Sequence, residues 1–196
     1  QILDTNSYIE EIWAYGYWAI DRCARIIKEG TSFKEVTKGD LAEVEGCIAQ
    51  AYAIKALCSF YLTNMFGLPY SEANKTTLGI VNITEPVPAY SQVSRVSVEQ
   101  NYSLILDDIT KAKEYYAKEG VENVGKQYMN TAAVAALEAR VKLYMKNYEG
   151  AITAAQEAIT LSGGTIVSTK EDYKNMYTTL AGSTEDIFFI ACLLYT

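Results

Sequence analysis

Histidine is absent from this chain of 196 residues, and cysteine occurs only four times. Cys23, Cys47, Cys58 and Cys192 are too widely spaced for a zinc knuckle or a CxxC redox pair, and no histidine is available to complete a mixed metal site. We therefore expect neither a metal nor any other cofactor. The first three cysteines fall on apolar helical stripes, where a free cysteine packs as a small hydrophobic residue, with a disulfide or a reactive thiol as the alternative.

Clusters of basic residues and long apolar runs are also missing. The 17 basic side chains are outnumbered by 24 acidic ones, and no run of Lys or Arg is long enough to bind a phosphate backbone. Nucleic acid and anionic membrane surfaces are therefore not expected as partners. No apolar stretch reaches the roughly 18 residues that cross a bilayer, and no signal peptide stands at Gln1. Because Gln1 is not an initiator Met, we expect a trimmed chain.

The chain does have enough apolar residues for one compact domain. Hydrophobic residues make up 49% and charged residues 21%, which favours a folded globular protein over a disordered one. A length of 196 residues suits a single domain with a substantial core. We therefore expect one helical domain over residues 1–196, as a fragment of a longer protein.

The clearest local pattern is a helical hairpin between Asn130 and Leu161, whose arms are separated only by Lys146-Asn147. Apolar residues recur at three- and four-residue steps in both arms, so each arm has one apolar helical face. Ser162-Gly163-Gly164 ends the second arm, because glycine readily adopts the left-handed conformation after a helix. The pattern consists of Val134, Leu137, Val141, Tyr144 and Met145 in the first arm and Tyr148, Ile152, Ala155 and Ile159 in the second.

The small residues of this hairpin are spaced as in one tetratricopeptide helix pair. Two positions depart from that repeat, because Glu138 and Lys142 occupy places where it usually has Leu and Tyr. A pair of this kind cannot bury its apolar faces alone. We therefore predict a mainly all-α fold of tetratricopeptide-like hairpins stacked in a right-handed array, with a binding role. The small residues are Ala139, Ala151 and Ala158.

Four further helices are predicted from apolar periodicity and end signals. Capping-box spacing of a Ser with a Glu or Gln marks the start of two of them, and glycine or proline marks the ends. A long loop from Leu68 to Val96 separates the second helix from the third. The predicted helices are Ser7 to Glu29 (Ser7 and Glu10 as capping box, Gly30 as end), Leu41 to Phe66, Ser97 to Gly120 with Gln100 completing its box, and a short helix from Thr169 and Asp172 to Tyr177.

The last segment, from Glu185 to Tyr195, is rich in Ile, Phe and Leu and is predicted to form a short terminal β-strand. The sequence offers this strand no partner. A hydrophobic strand without a pairing edge suggests that the natural protein continues beyond Thr196.

The long loop contains the best candidates for ligand contact. All three prolines of the chain lie in it, and loops of this length inside a compact domain tend to carry function. Sugar binding needs flat aromatic faces and polar partners for hydroxyls, whereas an ordinary solvated loop is the alternative. Most tyrosines are expected to pack between helices instead. The same is expected of Trp18, with exposure as the alternative because it lies near the edge of the first helix's apolar stripe. The loop candidates are Tyr70, Glu72, Asn74, Asn82 and Tyr90.

No catalytic motif stands out in the sequence. Asp107 and Asp108 are neighbours on a helix and point about 100° apart, so they cannot converge on one bond as the two carboxylates of a glycosidase do. There is no G-x-S-x-G and no glycine-rich phosphate loop. Lys55 interrupts an apolar stripe and should either pair with an acid or extend to solvent. We predict that the protein is not an enzyme.

Taken in chain order, five motifs resemble those of the SusD/RagB family of nutrient-binding lipoproteins. The first helix resembles W-x3-Y-x2-I, although Cys23 stands where Asn is usual. The second resembles E-A-x-x-(L/I)-R-A followed by (Y/F)-G-x-P, although Gln50 and Lys55 replace the acid and the Arg. The matching residues are Trp13, Tyr17 and Ile20 in the first motif and Ala51 to Leu57, Phe60, Leu62, Phe66, Gly67 and Pro69 in the second.

The remaining three motifs cover the rest of the chain. The third helix and the segment before it resemble G-(I/L)-P and R-x-(S/T)-V-x-E-x-Y-x-x-I-x-x-D-L-x-x-A. The hairpin resembles A-A-x-A-L-x-A-R-(V/L)-x-L-Y with Y-x-x-A-I-x-x-A, and the last segment resembles E-x-I-(F/L). The residues are Leu78 to Ile80, Arg95 to Glu99, Tyr102, Ile105, Asp107, Asp108 and Ala112; then Ala132 to Ile159; then Glu185 to Phe188.

The resemblance implies a function as well as a fold. Members of this family capture glycans or peptides at the outer surface of Bacteroidetes and pass them to a TonB-dependent (SusC-like) porin. They are surface-exposed outer-membrane lipoproteins, held by an acylated Cys that this sequence does not contain, and they are not enzymes. The family's ligand-binding aromatics lie mainly before the first helix and in the second half of the protein, outside this chain.

Two other functions are considered beside capture of an oligosaccharide. A tetratricopeptide adaptor that binds a peptide or a partner protein is suggested by the hairpin alone. An uncharacterised hydrolase rests only on the presence of acidic residues.

Overall fold

The computed structural model describes residues 6–36, 41–178 and 183–190, and helices account for most of them. One long loop separates the second helix from the third, as predicted. The all-helical prediction is confirmed. The helices are α1 (Ser7–Val36), α2 (Ala42–Phe66), α3 (Val98–Tyr116), α4 (Thr131–Tyr144), α5 (Tyr148–Ser162) and α6 (Lys170–Asn175).

The first helix starts at Ser7 as predicted, but its capping residue and its end differ from the prediction. Asn6, rather than Ser7, caps its start, because Oδ1 of Asn6 accepts a hydrogen bond from the Tyr8 N–H at 3.0 Å. The helix also continues through Gly30 to Val36. A methyl group at Gly30 would lie 2.9 Å from the Ile48 side chain of α2. Gly30 therefore permits close approach of α1 and α2, and it does not end the helix.

The main hydrophobic core lies where α2, α3 and α4 meet. Its rings meet edge to face, with the centroids of Phe60 and Tyr102 6.2 Å apart. Alanines on α2 bring the backbone close to α3, so the larger side chains of α3 fill the space between them. The core includes Ala49, Ala53, Ala56, Phe60, Val98, Tyr102, Ile105, Ile109, Val134, Leu137 and Val141.

The tyrosines and cysteines are less buried than the sequence predicted. Tyr102 and Tyr116 are buried, but nine tyrosines of the described residues are exposed, so the prediction that most pack in the core is wrong. Cys23 is buried and Cys47 is exposed. Burial raises the pKa of the Cys23 thiol to about 12, so it is a poor nucleophile. Cys192 lies outside the described residues.

The predicted hairpin is confirmed as α4 and α5. Oδ1 of Asn147 accepts a hydrogen bond from the Gly150 N–H at 3.0 Å and caps α5. Gly163 ends α5 in the left-handed conformation, with φ of 59°. Three alanines of α5 are buried, namely Ala151, Ala154 and Ala158, and they let α5 pack closely against its neighbours.

Ala151→Leu should lower the free energy of unfolding by about 1–3 kcal/mol, because a larger side chain does not fit between the closely packed helices. Urea unfolding followed by circular dichroism measures this loss. Thr153→Leu, at an exposed position of the same helix, is the control and should change stability by less than about 0.5 kcal/mol. Loss of ligand binding by Ala151→Leu with unchanged stability would contradict the view that the hairpin is a scaffold.

Two predicted start signals are confirmed by the structure, whereas α3 ends at Tyr116 and not at the predicted Gly120. Ser97 and Gln100 form the predicted capping box of α3, in which the Ser97 hydroxyl accepts from the Gln100 N–H and the Gln100 side chain accepts from the Ser97 N–H. Thr169 caps α6 by accepting from the Asp172 N–H at 3.1 Å.

The predicted terminal strand is not seen in its described part, residues 185–190, and residues 191–196 lie outside the described residues. One main-chain hydrogen bond, from the Phe189 N–H to the carbonyl oxygen of Lys126 at 3.0 Å, holds this segment. Ile187 and Phe188 pack against the main core. Their apolar character is thus explained by packing on helices.

Candidate functional site

The long loop between α2 and α3 is fixed to the helices by two polar side chains. Buried Asn101 of α3 accepts a hydrogen bond from the Ile80 N–H at 2.8 Å and donates one to the Ile80 carbonyl at 3.1 Å. The Tyr17 hydroxyl of α1 accepts from the Val81 N–H at 2.8 Å and donates to the Val81 carbonyl at 3.0 Å. Burial raises the pKa of Tyr17 to about 12, so its hydroxyl stays protonated at neutral pH.

A buried ion pair fixes the next part of the loop. Nζ of Lys55 lies 2.9 Å from Oδ1 of Asp108 and donates to the Ile83 carbonyl at 3.2 Å. Only 2% of Lys55 and 3% of Asp108 are exposed. Lys55 therefore pairs with an acid, which was one of the two predicted alternatives. The second carboxylate oxygen of Asp108 is buried without a hydrogen-bond partner among the described residues.

The stability of the protein should depend on pH through Asp108. Burial raises the pKa of this carboxyl from 3.8 to about 6, although the charge of Lys55 opposes the rise. The folded state therefore holds the proton more tightly than the unfolded state. The resulting stabilisation is present below about pH 4 and is lost as the pH rises through about 6.

Asp108→Asn should remove this pH-dependent loss of stability, which amounts to roughly 2–3 kcal/mol in the free energy of unfolding between about pH 4 and pH 6. Urea unfolding at a series of pH values measures it. Asp107→Asn, at the exposed neighbouring position, is the control and should keep the wild-type pH profile. If Asp108→Asn also keeps that profile, the raised pKa of Asp108 is refuted.

Three of the five loop candidates have contacts within the fold. Tyr70 is half-buried, and its ring meets Tyr102 edge to face with centroids 4.9 Å apart. Nδ2 of Asn74 donates to the Pro69 carbonyl at 3.0 Å. Oδ1 of Asn82 accepts from Nδ2 of Asn101 at 2.6 Å, which extends the anchor of the loop.

The other two candidates face solvent. Glu72 is exposed and forms an ion pair with Lys75 at 2.9 Å. Tyr90 is fully exposed and has a φ of 66°, an unusual backbone conformation for a bulky residue. The five residues therefore do not form one shared site. Tyr90 is exposed and does not pack on the core, whereas Tyr70, Asn74 and Asn82 help to hold the loop.

The same loop and α1 enclose a cleft with a volume of about 340 Å³, called here the α1–loop cleft. Trp13, Tyr17, Trp18 and Asp21 line it on the α1 side. Trp18 is 57% exposed, so the prediction that it packs between helices is wrong. The loop side consists of Val81, Ile83, Val87 and Val93.

The exposed edge of the α1–loop cleft carries aromatic and charged groups together. The ring of Tyr15 meets Trp18 edge to face at a centroid distance of 5.2 Å. Arg25 donates two hydrogen bonds to the Asp21 carboxylate, at 2.7 and 3.3 Å. Sequence reasoning missed this edge, although its residues recur at three- and four-residue steps along α1 and could have been identified by that spacing.

A second cavity of about 530 Å³ lies beside α2 and α4. Residues 185–190 of the chain itself form one side of it. On the helical side, Nη1 of Arg140 donates to the Tyr61 hydroxyl at 2.9 Å. The cavity is thus lined on two sides by residues of this chain.

Within residues 6–36, 41–178 and 183–190, no cluster of His, Cys, Asp or Glu is suited to hold a metal ion. None of the helices in those ranges combines the length and the hydropathy that a transmembrane span needs.

Comparison with known proteins identifies one group of relatives. Residues 1–143 match the sequence model of a family described as SusD-like, starch-binding and associating with the outer membrane. No curated protein matches the chain.

Solved structures agree with this match. A SusD superfamily protein of Bacteroides thetaiotaomicron is 25% identical to this chain, with a TM-score of 0.72. The alignment includes 90% of this chain and 41% of that protein. A putative sugar-binding protein of Bacteroides vulgatus is 27% identical with a TM-score of 0.76, over 90% of this chain and 40% of its own. The fold alone is shared with surface glycan-binding protein A of Bacteroides fluxus, at 20% identity and a TM-score of 0.66, over 90% of this chain and 35% of its own.

Proposed function

Because the chain belongs to the SusD-like family, we propose that it is part of a non-catalytic protein that captures oligosaccharide at the cell surface and delivers it to a TonB-dependent (SusC-like) outer-membrane porin. The family description supports starch binding and association with the outer membrane. The chain spans about two fifths of the length of the solved SusD superfamily and sugar-binding proteins, so the delivery step and the lipid anchor belong to the proposal.

The α1–loop cleft is the observation that carries the binding proposal. It places an exposed indole beside a carboxylate that is hydrogen-bonded to a guanidinium, and groups of these kinds contact the C–H face and the hydroxyls of a sugar. Of the loop candidates, Tyr90 and Glu72 have side chains in solvent and remain proposed ligand contacts. Tyr70, Asn74 and Asn82 are proposed to support them.

Calorimetry on the full-length protein tests the capture proposal. Oligosaccharides derived from starch and from laminarin are titrated in parallel, and saturable binding of at least one of them is expected. Pull-down with the same protein from outer-membrane extracts should recover a TonB-dependent porin. Absence of saturable binding to any glycan of a broad panel, together with recovery of an unrelated peptide partner, would favour the tetratricopeptide adaptor instead.

The geometry gives less support to the other two functions. One side of the cavity beside α2 and α4 is formed by residues 185–190, so this cavity differs from the concave helical surface on which a repeat adaptor binds its partner. Asp107 is exposed while Asp108 is buried against Lys55, so these two carboxylates do not face one substrate. Turnover of a polysaccharide that persists through purification would overturn the non-catalytic proposal.

A further inference from the structure

Trp18 is held in solvent by the fold, although an indole of this size usually gains from burial. Its edge-to-face contact with Tyr15, 5.2 Å between centroids, restricts the orientation of the ring. Tyr15 is itself 59% exposed, so this contact does not bury the indole. The result is a flat aromatic surface that faces solvent at the edge of the α1–loop cleft.

Asp21 and Arg25 supply polar groups beside this surface. The carboxylate of Asp21 accepts two hydrogen bonds from Arg25, which leaves lone pairs on both of its oxygens. The guanidinium of Arg25 likewise keeps N–H groups for other acceptors. One hydroxyl can therefore donate to the carboxylate while a neighbouring hydroxyl accepts from the guanidinium, as two adjacent hydroxyls on one ring would.

Part of the loop side of the cleft, at Val81 and Ile83, is held in place before any ligand binds. Val81 is fixed by two hydrogen bonds with the Tyr17 hydroxyl, and Ile83 by its hydrogen bond with Lys55. A preformed site avoids part of the entropy cost of ordering a loop on binding.

The size and charge of the cleft restrict the ligand further. A volume of about 340 Å³ is at the lower end of the range for ligand pockets, so the cleft suits one or two sugar rings of a longer chain. The charges of Asp21 and Arg25 compensate each other at this edge, and the net charge of −7 on the chain disfavours an anionic ligand.

We infer that the α1–loop cleft binds a pyranose ring of a neutral oligosaccharide, with its C–H face on Trp18 and two adjacent hydroxyls on Asp21 and Arg25. This inference rests on the proposed function and gives it a location in the helical part of the protein. Trp18 is the stacking surface, and Asp21 sets the orientation of the ring.

The test uses the full-length protein labelled with fluorotryptophan. The fluorine NMR signal of Trp18 is assigned as the one that disappears in Trp18→Phe. Oligosaccharides from starch and from laminarin are then titrated while calorimetry records binding by the whole protein. We expect a saturable shift of the Trp18 signal with the glycan that gives heat. Trp18→Ala should weaken binding by about tenfold, and Trp18→Phe should weaken it less.

Tyr148→Ala removes an exposed aromatic side chain of α5 far along the chain from the cleft and is the matched control, which should bind as the wild type does. Glycan binding by calorimetry with an unmoved Trp18 signal overturns the cleft site and leaves the proposed function standing. Absence of heat and of any shift with every glycan overturns both. A Trp18 signal that shifts with an apolar peptide but with no glycan identifies a protein-binding groove and overturns the sugar site.

Discussion

Replacing Lys55 by Met should lower the free energy of unfolding by about 3–5 kcal/mol, because it leaves the Asp108 carboxylate buried without its partner. In the native fold that partner is close, with Nζ of Lys55 2.9 Å from Oδ1 of Asp108. Its removal also takes a donor from the Ile83 carbonyl. Urea unfolding at pH 8, where the carboxyl is ionised, measures the full effect.

The double variant Lys55→Met with Asp108→Leu separates loss of the pair from loss of packing. Replacing both charges by apolar groups of similar size is often neutral, so most of the lost stability should return. Lys111→Met breaks the exposed pair with Glu114 and is the control, with an expected change below about 1 kcal/mol. A similarly small effect of Lys55→Met would show that Asp108 is hydrated and that the pair contributes little.

Gly79→Ala should lower the free energy of unfolding by about 3–5 kcal/mol, from steric overlap and from the loss of a buried hydrogen bond. A methyl group on Gly79 would overlap Oδ1 of Asn101 and would lie 3.3 Å from the Cα of Val98. Asn101 cannot move aside without giving up its hydrogen bonds with Ile80 and Asn82. Urea unfolding and the exposure of the loop to a protease measure the result.

Gly46→Ala is the matched control for this substitution. The added methyl group would lie 3.7 Å from the Val121 side chain, an ordinary packing distance. Because Gly46 lies inside α2, in its second turn, alanine there should stabilise the helix by about 0.5–1 kcal/mol. Equal stability of the two variants would refute the role of Gly79 in anchoring the loop.

The sequence predicts most helices well because their apolar faces recur with the period of a helix. The predicted α2, Leu41 to Phe66, is observed as Ala42–Phe66, and the hairpin and its Gly163 end are found where expected. The error at Gly30 has a tertiary cause, since the side chain of Ile48 on another helix requires a residue without Cβ. Local end signals cannot show such a contact.

The candidate site is predicted less well, because its geometry depends on residues far apart in the chain. Asn82 is a residue type suited to ligand contact. Its side chain is instead hydrogen-bonded within the fold by Asn101, which lies 19 residues away in the chain. The exposure of Trp18 likewise depends on where the loop lies against α1. The terminal segment shows the same limit, since Ile187 and Phe188 pack against the helical core and no strand is seen in residues 185–190.

We expect the two parts of the long loop to move on different timescales. The Gly79 and Val96 amides hydrogen-bond across the loop, and those of Ile80 and Val81 bond to side chains of α3 and α1, so this part should open only rarely. Residues 88–94 are exposed and include fully exposed Tyr90, so they should rearrange far more often. The fixed part keeps the cleft open, while the faster tip can sample positions over whatever occupies it.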